Sequence, residues 1–142
     1  MSTQRIELAP ALVAFLDAQF PELGGVAHVP VFACARFPFE RLLRYLQRFS
    51  GLMFFDRIYL RRKPAEVAEA NPALLELLFH EFVHVRQFHR KIVRSSLRYA
   101  WHFLRAGYWN HPMEIEARAE AARLLKQYLN AKRHESAAKL AA

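Results

Sequence analysis

A single cysteine, Cys34, stands in a chain of 142 residues, so no disulfide can close within it and no cysteine-based zinc cluster can form. Glycine is scarce as well, four residues in all, and no glycine-rich phosphate loop is present. The aromatic signatures of RNA-binding sheets and paired zinc-knuckle cysteines are missing too. No apolar stretch approaches the roughly 18 uncharged residues of a membrane span. Asp17 and Glu22 interrupt the first hydrophobic patch, which therefore does not read as a secretory leader. These absences lead to the expectation of a cytoplasmic protein in which Cys34, set in the apolar run 29–35, is a small core residue.

Acidic residues are also in short supply. Thirteen Asp and Glu face 21 Lys and Arg, a net charge of +8. An anionic partner such as nucleic acid is one implication of that excess. The plainer one is a solvated helix face, because Arg90, Arg94, Arg98 and Arg105 share one helical stripe with His102 among them.

What the chain does have is apolar surface: 54% of its residues are hydrophobic, enough for one core. Leu12, Val13, Leu16 and Phe20 predict a short amphipathic helix over 9–20. The Val- and Phe-rich segment 26–35 reads as a strand, with Pro30 placing it at an edge or bend. Residues 39–49 carry Leu42, Leu43, Leu46 and Phe49 at helical spacing, and 52–62 alternates as a strand with one buried face. Asn71-Pro72 supplies a helix cap and a first-turn proline for a helix over 73–91 that is apolar nearly all round, hence central and buried. Further helices are predicted over 92–104 and, after His111-Pro112, over 112–132. The pattern is that of an α+β fold, mostly helical with a small sheet. A single domain is expected over 1–134, with its core in 52–130, and 135–142 reads as a frayed tail.

Within the central helix lies His80-Glu81-Phe82-Val83-His84. Histidines four apart stand one above the other on one face, and both imidazoles can reach one ion; the intervening glutamate sits about 100° around the helix, able to touch a bound water. Two imidazoles on an otherwise apolar stripe need partners, and a metal satisfies both; a pair of hydrogen-bonded core histidines is the structural alternative. Nitrogen ligands, an open position for water and an adjacent carboxylate are what catalytic zinc requires, together with a third protein ligand. Glu114, Glu116 and Glu120 are available on the last helix. Glu114 precedes Ala117 and Ala121 by three and seven residues, on the face that turns inward, while Glu116 and Glu120 share the polar face. Glu114 is therefore the expected ligand and Glu116 the alternative.

Taken together, His80-Glu81-x-x-His84 and Glu114-Ile115-Glu116-Ala117 resemble the gluzincin metallopeptidases, in which a second helix supplies a glutamate ligand. The extended form ending in Gln87 is similar to small bacterial peptidase-like domains. The resemblance covers about residues 52–125. It implies a zincin-like domain holding one zinc ion through His80, His84 and Glu114, with Glu81 as general base for hydrolysis of a peptide or protein substrate. It also implies an edge strand before the active helix, here bearing Arg57 and Tyr59, along which substrate would lie. Arg118 departs from the pattern, standing where several gluzincins place an aspartate that orients a histidine ligand. Tyr99, His102, Tyr108 and His111 are the candidate oxyanion donors between the ligand helices. Two rival functions stay open: a catalytically silent, peptidase-derived metal-binding regulatory domain, and a basic nucleic-acid-binding protein with structural histidines. Substrate and oligomeric state are not legible.

Overall fold

The structure, a computed structural model of the chain, describes residues 3–37, 40–41, 44–54, 56–62, 71–91, 107 and 109–141. Among them are three α-helices and a four-stranded mixed sheet, an α+β fold. Strand β1 (Gln4–Ile6) leads into α1 (Pro10–Gln19), and two short 3-10 turns, Pro21–Leu23 and Val26–His28, precede β2 (Val31–Ala33). A 3-10 turn, Arg44–Arg48, comes before β3 (Gly51–Phe54) and β4 (Arg57–Leu60); the long helices are α2 (Pro72–Lys91) and α3 (Pro112–Ala141). The strands lie in the order β1-β2-β4-β3, with β2 and β4 parallel and the other pairs antiparallel.

The predicted strand 52–62 is in fact a hairpin. Phe54 pairs with Arg57, and Asp56 adopts φ 59°, the left-handed conformation that a short polar residue tolerates in a turn. The turn changes which residues share a face. Met53 stands opposite Ile58, and Leu52 opposite Tyr59. It also corrects the expected substrate edge: β4 is interior, flanked by β2 and β3, so Arg57 and Tyr59 lie on no free edge. Tyr59 is buried instead, in a cluster with Cys34, Phe37 and Leu46. The edge strand beside the helix that carries His80 and His84 is β3.

Segment 26–35 is likewise shorter as a strand than expected, its first part being a 3-10 turn. Of the predicted helix 39–49, the described residues hold a turn at 40–41 and the 3-10 turn Arg44–Arg48. The predicted helix 92–104 lies outside the described residues. Residues 135–141, expected to fray, continue α3 with every side chain exposed.

Helix α2 packs against β3 and β4 on one side and α3 on the other. Asn71 caps it, its side chain accepting the Leu74 amide at 2.9 Å. Phe79, Phe82, Val83 and Val85 are fully buried, and Ala117 and Ala121 form the buried small-residue face of α3. Phe20 stacks on Phe82 and Phe79 meets Tyr128 edge-on, joining α2 to both ends of the fold. The core extends well before residue 52: Leu12, Leu16, Phe20, Val26 and Val31 belong to the same cluster as the α2 side chains.

Candidate metal centre

The start of α3 faces the middle of α2, and three side chains converge there. Nε2 of His80 lies 3.0 Å from Nε2 of His84. Glu114 presents Oε2 to His80 Nε2 at 3.3 Å and Oε1 to His84 Nε2 at 3.1 Å. One ligand atom from each of the three residues falls within 4.8 Å of the others, a grouping that can hold a metal ion. Glu114 is buried at 2% exposure, and its Oε2 has no hydrogen bond of acceptable geometry. Glu116, the alternative ligand, is half exposed and is engaged by Gln87 and Arg86.

Two ring nitrogens facing one another beside a carboxylate can be satisfied in two ways, by a ring proton shared among them or by a metal ion in its place. Burial opposes the charge on both His84 and Glu114. For His84, the contact with Glu114 and the charge of Glu81 outweigh burial and raise its pKa. For Glu114, the two facing imidazoles outweigh burial and hold the carboxyl at about 2. A bound divalent ion would supply the positive charge that protons otherwise provide, so the donor set fits a divalent metal ion.

Gln87 sets which nitrogen of His84 is the ligand. Its Nε2 donates to Met113 O and Glu116 Oε2, both at 3.0 Å, which leaves Oε1 as an acceptor 2.9 Å from His84 Nδ1. The His84 proton therefore belongs on Nδ1, and in the neutral ring Nε2 carries the lone pair that faces the centre. The sequence signal was the three-residue step from His84 to Gln87, which puts both on one helix face.

Glu81 lies at 5% exposure between α2 and β3. Burial raises its pKa to about 7, against the lowering influence of His84, His80 and the Met53 backbone amide that donates to it. Gly51 lies so near that a Cβ there would collide with Glu81 Oε1. Glycine at this point lets the edge strand close over the carboxylate.

His80, Glu81 and Glu114 line one cleft of about 770 Å³, together with Arg48, Gly51, Trp109 and Arg118. His111 does not line it. It is buried at the start of α3, where its Nδ1 accepts the Met113 amide at 3.2 Å and its carbonyl accepts the Glu114 amide, a capping role. Tyr99, His102 and Tyr108 lie outside the described residues, as do Arg94, Arg98 and Arg105. Arg90, the described member of that stripe, is paired with Glu22 at 2.7 Å. Among the described residues no helix is long and apolar enough to cross a membrane. Comparison with family models, with curated proteins and with solved structures gives no match, so the chemistry of the centre rests on its own geometry.

Proposed function

We propose that this chain is a zinc-dependent hydrolase of peptide or related amide bonds, its one ion held by His80, His84 and Glu114. The observation that carries the reading is the meeting of these three ligand atoms within 4.8 Å, two of their residues, His80 and Glu114, lining the cleft that also contains Glu81. The resemblance to gluzincin metallopeptidases, with a ligand pair on one helix and a glutamate on the next, supports it. Bound zinc would lower the pKa of water toward about 7 and polarise a carbonyl. Glu81 takes the proton from the attacking water and delivers it to the departing amine, a role suited to a carboxyl whose burial favours the protonated form. Gln87 holds the His84 ring in its ligand tautomer. The β3 edge offers main-chain groups to an extended peptide.

One observation favours a second reading, a metal-binding domain without turnover. Glu81 is engaged by the Met53 amide and roofed by Gly51, which suits a carboxylate kept from substrate. The two are separated by protein purified without a nickel column, analysed for metal and incubated with a mixed peptide library. The hydrolase reading expects one zinc per chain and cleavage that Glu81→Gln abolishes while keeping the zinc. Zinc without cleavage in either protein selects the regulatory domain, and absence of zinc overturns both.

A further inference from the structure

We infer that Arg118 is the carboxylate-recognising residue of the cleft, so that the molecule accepted there carries a free carboxylate next to the bond presented to the metal centre. The inference rests on the proposed hydrolase site for the bond, but not for the carboxylate. Arg118 follows Glu114 by four residues on α3, hence on the same face and about 6 Å further along the axis. Both side chains line the cleft.

What distinguishes Arg118 is a covered guanidinium nitrogen on the cleft that no acid or other acceptor among the described residues meets. Arg61 is paired with Glu40, Arg86 with Glu116 and Glu120, Arg90 with Glu22, and Arg123 with Glu120. Among the described residues no carboxylate lies within ion-pair distance of Arg118. Glu114, one turn away, is turned to the histidines, and Glu76, also on the cleft, does not reach it. Arg118 Nη2 donates to Trp109 O at 2.6 Å and the guanidinium stacks 5.2 Å from the Trp109 ring, while Nη1 is covered and has no hydrogen-bond partner. A covered donor nitrogen without an acceptor is costly, and a half-buried planar guanidinium held on one side is suited to a carboxylate arriving from the other. Arg48 adds a second positive charge to the same cleft. A space of about 770 Å³ suits a small ligand, which points to peptides read from their carboxyl end or to acylated amino acids.

The test is calorimetric binding of benzoyl-glycyl-phenylalanine and of its carboxyl-terminal amide, on zinc-loaded and on metal-free protein. The metal-free arm matters because zinc itself attracts carboxylates. The acid is expected to bind at least about tenfold tighter than the amide in both forms. In Arg118→Gln the ratio is expected to fall to about one with zinc content unchanged, and Arg118→Lys is expected to restore part of it. Equal binding of acid and amide by metal-free wild-type protein, or binding of neither, overturns the inference, and that comparison needs no variant. So does a preference that survives in Arg118→Gln. A preference for the acid without any peptide cleavage would leave this inference standing while removing the hydrolase. Cleavage without the preference would do the reverse.

Discussion

Two charged clusters sit on opposite faces of the same small sheet, and they are finished to different degrees. On the Tyr59 face, Arg61 bonds Glu40 at 2.8 Å and donates to the carbonyls of Phe49, Ala35 and Leu46, each at 3.2 Å. Its guanidinium also covers the Phe37 ring at 4.5 Å, and Glu40 in turn accepts the Phe37 amide. That cluster is closed: it ties the loop preceding β3 to the end of β4. On the α2 face, His80 and His84 turn their Nε2 atoms toward each other and toward Glu114, whose buried Oε2 lacks a hydrogen bond. Arg118, on the same cleft, meets no acid among the described residues. Buried polar groups that only stabilise a fold are normally satisfied by the chain itself. The contrast therefore sets the α2–α3 cleft, rather than the Arg61–Glu40 cluster, as the place among the described residues with polar groups left to engage a ligand.

Breaking the closed cluster is expected to have the largest effect on stability. Arg61→Ala removes four hydrogen bonds and the partner of a buried carboxylate, and should lower Tm by on the order of 10 °C. Zinc binding at pH 7 is expected to survive it, as read by thermal unfolding alongside metal titration. The open cluster should respond differently, through pH. In metal-free protein the Glu81 carboxyl titrates at about 7 when folded but at about 4.3 when unfolded. Between those values the native state holds a proton that the unfolded chain has released, so this group makes stability fall as pH rises. Glu81→Gln is expected to raise metal-free stability by about 3 kcal/mol at pH 8, and by nothing below about pH 4, in urea unfolding at the two pH values. A gain that persists at pH 4 would mean that packing, not charge, is responsible. A smaller effect should come from Gln87→Leu, which leaves the ligands in place but frees the His84 tautomer. Metal affinity should drop roughly 10- to 100-fold, measured by competition with a chromogenic chelator. No change would show that His84 needs no orienting partner.

Much of this contrast was legible in the sequence where periodicity and capping agree. Asn71-Pro72 and His111-Pro112 mark the starts of α2 and α3, and the all-round apolar pattern of 73–91 gives a helix buried on two sides. Helical phase against Ala117 and Ala121 also singles out Glu114, the residue that faces the histidines. Elsewhere the signals are local and the determinants are not. Asp56 alone interrupts the alternation of 52–62, a break that reads equally as a bulge or an exposed edge, and Phe55-Asp56 lacks the glycine of the commonest two-residue turns; hence the hairpin, and the burial of Tyr59, were hidden. Strand β1 is three residues long with two of them exposed, too little pattern to see. Gln87 belonged to the motif, but its role depends on Met113 and Glu116 arriving from another helix. The difference between Arg61 and Arg118 is likewise a matter of which acids lie nearby in space, which no spacing reveals.

The most direct test of the metal centre is a crystal grown with zinc and measured at the zinc absorption edge. A single anomalous peak is expected about 2.0–2.2 Å from Nε2 of His80, Nε2 of His84 and a Glu114 carboxylate oxygen. It should vanish in Glu114→Ala. A map without that peak, or a peak bound elsewhere with Glu114 still directed at two protonated imidazoles, would contradict the account.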